Sequence, residues 1–266
     1  MKKFKLLFLV PAVFAMVACN LGKGKAVTAE EAKDIAKNMQ EAETPKNMEI
    51  SLSMTSYNAE KKATLTASYT VKQNEAGDLY VGLKAETKDE KGVDEDSSTD
   101  TEIYRVADAE YDEVIYLRNY DFDKKQDEIE AYVKKGNEVE YAYMVKSVGY
   151  ETALVDAYTI PVEELPDYIE EGELQAKADE NISFKYYSNG KNNLTIEETI
   201  AKSDKEGAVW GSATITFDNS RLTKLESNQE NAKGNKLNIK MEIKYPNSLK
   251  ISLPNGWKDH IKSLDE

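Results

Sequence analysis

Residues 48–85, MEISLSMTSYNAEKKATLTASYTVKQNEAGDLYVGLKA, decide the fold. Met48, Ile50, Leu52 and Met54 alternate with Glu49, Ser51, Ser53 and Thr55. Ala63, Leu65, Ala67, Tyr69 and Val71 alternate with Thr64, Thr66, Ser68 and Thr70, and Leu79, Val81, Leu83 and Ala85 repeat the pattern. A period of two places one set of side chains on an apolar face and the other in water, as in a half-buried strand. The breaks at 57–61 and 73–77 are polar and short enough for hairpin turns. Three such strands in succession predict an antiparallel meander.

Downstream, strands are predicted at 102–106, 114–119 and 128–134, and at 138–145, where Val139, Tyr141, Tyr143 and Val145 alternate with polar neighbours or smaller ones. Lys135-Gly136-Asn137 has hairpin chemistry between the last two. Residues 87–100, TKDEKGVDEDSSTD, carry almost no apolar side chains and read as an exposed acidic loop. A calcium site is the alternative there, but the D-x-[DN]-x-[DN]-G register is missing. Residues 147–158 and 161–169 mix apolar positions at mostly helical intervals, and Pro166 is expected to limit the second helix. Strands resume with Ile182, Phe184 and Tyr186, then Leu194, Ile196 and Ile200, whose apolar face is broken by Glu198. Further alternation covers 209–217 and 237–245, with a turn at Asp218-Asn219. The more polar stretch 221–229 reads as an edge or solvent-facing strand, and Leu249, Ile251 and Leu253 as a closing one.

Upstream, Thr28-Ala29-Glu30-Glu31 is a capping box with Thr28 as N-cap. It opens a helix over 29–41 in which Ala32, Ile35, Ala36 and Met39 form a narrow apolar face, ending before Pro45. Residues 21–27, LGKGKAV, read as a tether. Before them, Lys2, Lys3 and Lys5 precede a short apolar run over 6–16 and the small-residue sequence Met16-Val17-Ala18-Cys19. That order is the pattern of a secretory signal, with an apolar run too short to span a bilayer. The last four residues resemble the lipobox of bacterial lipoproteins, with Met16 standing where that family usually has Leu. The resemblance implies cleavage between Ala18 and Cys19 and acylation of Cys19. An ordinary or uncleaved signal with an unmodified cysteine is the alternative. The expected organisation is a signal peptide over 1–18, a lipidated Cys19 with its tether over 19–28, and one β-rich domain over 29–266.

One helix, half the strands, short helices and then the remaining strands define an α+β class. The expectation is a large curved antiparallel sheet, a half-barrel of roughly ten to twelve strands, with an N-terminal helix and a short central helical insertion. The order of elements resembles the LolA/LppX-type fold of lipoprotein carriers and lipid-binding lipoproteins. The likeness rests on the helix at 29–41, the meander at 48–87, the insertion near 147–169 and the closing segment SLKISLPNGW at 248–257. It implies an apolar cavity for acyl chains between sheet and helices, lined here by Leu52, Met54, Leu65, Tyr69, Leu83, Tyr141 and Tyr143. Taken one by one, the same residues read more readily as ordinary core beneath the helices, the usual place of such positions.

The charge of -14 argues against nucleic-acid binding, which needs a basic face, and favours a soluble monomer. One cysteine and one histidine leave no disulfide framework and no ordinary zinc ligand set. His260, in a charged C-terminal stretch, has no nucleophile elbow to serve, and neither a Walker nor a dinucleotide glycine pattern occurs. A glycosidase-like carboxylate pair stays possible in principle among 49 acidic residues, but nothing marks out two of them. The expectation is therefore a non-catalytic protein without cofactor, anchored by its acyl group on the extracytoplasmic face of a cell membrane. It would bind lipid or another hydrophobic ligand there. The alternative is a protein–protein interaction module on a sheet scaffold.

Overall fold

The computed structural model describes residues 24–39, 45–134, 141, 162–203 and 207–262. The described chain is α+β. Its strands are β1 (Lys25–Val27), β2 (Met48–Asn58), β3 (Ala63–Gln73), β4 (Leu79–Asp89), β5 (Gly92–Asp108), β6 (Asp112–Asp121) and β7 (Gln126–Val133). After helix α2 (Leu165–Ala178) come β8 (Ile182–Ser188), β9 (Leu194–Ile200), β10 (Val209–Asp218), β11 (Arg221–Asn231) and β12 (Lys236–Lys244), while helix α1 (Ala29–Met39) follows β1. The sheet has 12 strands in the order β1-β8-β9-β10-β11-β12-β2-β3-β4-β5-β6-β7. Two sequential meanders, β2–β7 and β8–β12, therefore account for nearly all of it, as the alternating pattern of residues 48–85 requires. The chain packs as two compact units, one from the described parts of 1–42, 55–62 and 160–240, the other from those of 43–54, 63–159 and 241–266.

In the first unit, α1 begins where the capping box places it. The Glu31 amide donates to Thr28 Oγ1 at 3.2 Å and the Thr28 amide donates to Glu31 Oε2 at 2.7 Å, satisfying two otherwise orphan donors. Ala32, Ala36 and Met39 are fully buried on its inner face. Helix α2 packs against α1 and β8. It is longer than the predicted 161–169 segment, and Pro166 opens it instead of limiting it. Proline in the first turn lacks only an N–H that has no intrahelical acceptor. Beneath the helices, β8, β9, β10 and β11 place Tyr186, Ile196, Ile215 and Leu225 in one cross-strand row. All four are buried. Asn219 and Ser220 both take positive φ, closing the β10–β11 hairpin with the two-residue turn that matches strand twist. Lys25–Val27, expected within a tether, pairs instead with residues 186–188 of β8 as an edge strand. Strand β11, expected at an edge or facing solvent, lies between β10 and β12. Its buried positions are Leu222, Leu225 and Ser227, while its remaining, mostly polar residues are half-buried or exposed.

In the second unit, β3–β6 carry Val71, Val81 and Ile103 on one face, with Val71 opposite Val81 and Val81 opposite Ile103. Tyr80, Tyr104 and Tyr116 stand in a row on the other face. Residues 87–100 are not a loop. They form the distal half of the β4–β5 hairpin, where Thr87 and Lys88 pair with Asp94 and Val93 across a register shift. The acidic side chains stay in water on an extended backbone, so low apolar content did not preclude strand. The excess residues beside that shift are held locally, with Ser97 Oγ donating to Asp94 Oδ2 at 2.6 Å. The expected strand over 138–145 meets a helical conformation at Tyr141, the one described residue of that stretch, whose ring is buried. An apolar residue at every second position suits helix as well when the intervening residues are Ala or Met, which are good helix formers. The expected closing strand at 249–253 is also absent. This segment runs without regular pairing and is fastened by side chains, with Asn47 Nδ2 donating to the Asn247 carbonyl at 3.2 Å. Pro246 and Pro254 bracket it and deprive a ladder of donors. Farther along, the Lys262 amide donates to the Ala131 carbonyl at 2.9 Å, capping part of the β7 edge.

Candidate functional site

The second unit contains a cleft of about 700 Å³, lined by Glu49, Ser51, Thr70, Lys72, Tyr80, Tyr104, Lys250, Ile251 and Ser252. Its volume lies within the range of small-molecule sites. Strands β2 to β5 supply the first six of these residues and the irregular segment 250–252 the other three. Because side chains alternate across a strand, the cleft-lining Thr70, Lys72, Tyr80 and Tyr104 belong to the face opposite Val71, Val81 and Ile103. Asn47 ties the segment after β12 to the β3–β4 turn: besides its bond to Asn247, its side-chain carbonyl accepts the Glu75 amide at 3.1 Å.

The tyrosines form the floor. Tyr80 and Tyr104 have ring centroids 4.8 Å apart at 57°, and Tyr104 meets Tyr116 edge-on at 5.7 Å. Tyr80 donates its hydroxyl to Glu102 Oε1 at 3.3 Å. Gly82 permits this reach, since a Cβ there would lie 2.6 Å from the Tyr80 oxygen. Burial, reinforced by Glu102, pushes the Tyr80 phenol up to about 12, and burial raises Tyr104 too. Both phenols therefore stay protonated near neutral pH and act as donors. Lys72 Nζ sits 5.8 Å from the Tyr80 ring centroid and 4.0 Å from Glu49 Oε2. Lys250 lines the cleft with no ion pair or hydrogen bond to another described residue. Two cations thus face one carboxylate, a locally positive site in a chain of charge -14.

None of the six described residues suggested as ligand lining belongs to this cleft. Tyr69 and Leu83 are direct cross-strand partners, with Leu65 two pairs along the same face opposite Thr87. Tyr69 is buried, whereas Leu65 and Leu83 are half-buried. Leu52 and Met54 are half-buried on β2, and Tyr141 is buried in a helical position. Tyr143 lies outside the described residues, as do Ala18 and Cys19. Apolar periodicity pointed to the inner face, whereas the cleft uses the face taken for solvent. The signal available was tyrosine at 80, 104 and 116, large rings at positions where a purely solvated face needs none.

Two features of the first unit stand apart. Glu198 is 7% exposed on the inner face of β9, between Phe184 of β8 and Ala213 of β10. Burial pushes its carboxyl up to about 7; burial also raises the phenol of Tyr168 on α2, with the charge of Glu198 adding to it. A depression of about 190 Å³ between 187–195 and 216–223 is too small for most ligands. Its Ser188 hydroxyl is engaged internally, lying 2.6 and 2.7 Å from the carbonyls of Gly190 and Asn193. Among the described residues no group of three or more His, Cys, Asp or Glu side chains is placed to hold a metal, and no helix is long and apolar enough to cross a membrane.

Fold and cleft define the class: an α+β protein built on a 12-stranded antiparallel sheet, with a tyrosine-floored, lysine-bearing cleft. No protein-family model matches the chain, and no curated protein matches it. Among solved structures, a DUF1329 family protein from Desulfovibrio piger aligns over 84% of this chain and 95% of its own, at 12% identity and a TM-score of 0.24. A β-barrel-like protein of domain of unknown function DUF1849 from Brucella abortus aligns over 77% of this chain and 100% of its own, at 10% identity and a TM-score of 0.22. At such scores the likeness carries no argument about this chain.

Proposed function

We propose that this protein is a non-catalytic, lipid-binding lipoprotein, held at the extracytoplasmic face of a cell membrane by an acyl group on Cys19. The signal-like segment 1–18 and the lipobox-like Met16-Val17-Ala18-Cys19 support the location. The cleft carries the binding reading. Tyr80, Tyr104 and Ile251 offer apolar contact while Ser51, Thr70, Ser252 and two lysines offer polar contact, which together suit an amphiphile better than a wholly apolar or wholly polar ligand. The polar end of a lipid is the part such a lining can hold. A protein on a short membrane tether meets that ligand at high local concentration.

Native mass spectrometry of the full chain, released from detergent micelles containing phospholipid, tests this. One lipid should remain bound per chain, and Ser252→Trp, which puts a large ring into the cleft from an exposed position, should lose it. Equal occupancy in both proteins, or none in either, overturns the reading.

A further inference from the structure

We infer that the cleft selects an anionic group, a phosphate or carboxylate, seated between Lys72 and Lys250 above the Tyr80–Tyr104 floor. The inference rests on the lipid-binding reading and assigns the headgroup chemistry. Three features of the cleft carry it. First, its cations outnumber its carboxylates, although the chain as a whole has 49 acidic and 35 basic residues. A positive spot on so acidic a surface is not a by-product of composition. Second, the two lysines are in different states. Lys72 is held in place by Glu49 at 4.0 Å and by the Tyr80 ring, so its position is set before a ligand arrives. Lys250 has no partner among the described residues and contributes a whole charge to the ligand. Third, every other polar group on the lining that can donate is a hydroxyl: Ser51, Thr70, Ser252, Tyr80 and Tyr104. The Tyr80 hydroxyl is already committed to Glu102, which leaves four to complete the shell of an oxyanion.

A choline-type headgroup finds the opposite arrangement. Its cation would meet Lys72 over the ring it needs, because the lysine already occupies the cation–π position. The cleft therefore discriminates by charge: it attracts an anion and fills the place a quaternary ammonium would take.

The test is a native mass spectrometry competition on the full chain in micelles doped with equimolar phosphatidylglycerol and phosphatidylcholine, with sn-glycerol 3-phosphate in a separate arm. The anionic lipid should exceed the zwitterionic one about tenfold, the ratio expected of one charge-assisted hydrogen bond. Lys250→Glu should bring the ratio to about one, and Lys250→Arg should retain the preference. Lys250 is exposed, so both variants should keep the wild-type circular dichroism spectrum and thermal midpoint. Equal occupancy by the two lipids overturns the anionic preference and leaves the lipid reading standing. Glycerol phosphate binding as tightly as phosphatidylglycerol upholds the anion site and overturns the lipid reading. If neither lipid nor glycerol phosphate binds, both fail.

Discussion

Glu198 shows how one residue can set a pH dependence. It interrupts a run of Leu194, Ile196 and Ile200 that is otherwise apolar, and β-strand register leaves it no route to the outer face. Burial raises its carboxyl from 4.5 to about 7, so between those values the folded chain binds a proton that the unfolded chain has released. The protonated acid is the form the fold accommodates. Stability should accordingly be greatest below pH 4.5 as far as this group is concerned, fall as pH rises to 7, and level off above it. The rise corresponds to ~3 kcal/mol at most. Glu198→Gln keeps the shape without the charge and should raise stability by that order at pH 8 while changing it little at pH 4. Urea unfolding followed by circular dichroism at both values measures this, and an equal effect at both would sink the assignment. Tyr80 illustrates the same coupling of burial to protonation with a different result: its phenol stays a donor at every physiological pH.

At the scale of elements, α2 depends on Gly172. Glycine inside a helix costs about 1 kcal/mol relative to alanine. Here it lets the helix approach β8, since a Cβ would fall 2.9 Å from Phe184 Cζ and 3.0 to 3.2 Å from two other atoms of that ring. Tyr168 meets the same ring edge-on at 6.5 Å, and Glu173 accepts the Tyr186 hydroxyl at 3.0 Å, so the helix is registered on the strand from two successive turns. Propensity alone predicts that Gly172→Ala stabilises the chain. Close packing predicts the reverse, by about 1–3 kcal/mol. We expect destabilisation, read as a lower urea midpoint with an unchanged slope; a raised midpoint would show that the approach is not required. The segment 245–262 is the complementary case: its part at 250–252 has no regular secondary structure and nonetheless builds one wall of the cleft. Tyr111 packs edge-on against Trp257 at 6.0 Å, and Lys262 Nζ lies 2.9 Å from Glu130 Oε1, holding the segment against the β5–β6 turn and β7.

For the molecule as a whole, the proposed anchor is the feature most easily tested. Cys19→Ala should abolish palmitate labelling and leave unprocessed precursor in membrane fractions, detected as a mass increase of the signal segment; normal processing of the variant would rule acylation out. Because Lys25–Val27 is a strand, five residues separate Cys19 from the sheet, a length of at most roughly 17 Å. That length would hold the sheet edge near the headgroups. Much of the architecture was legible in the chain itself: the α+β class, the capped first helix and the two meanders all follow from period-two alternation, helical spacing and the Thr28–Glu31 box, because those are local properties of the backbone. The acidic hairpin tip and the length of α2 were not legible, since strand pairing and a neighbouring helix overrode weak local preference. Nor was the cleft. Sequence alternation separates the two faces of a strand but does not say which face a distant segment will cover. Lys250 lies far along the chain from Lys72 and Tyr80, and only the packing of 250–252 beside β2 to β5 makes one site of them. The sequence by itself determined which side chains share a face; the tertiary structure alone decided which face became the cleft, because that depends on contacts between residues with no local relation.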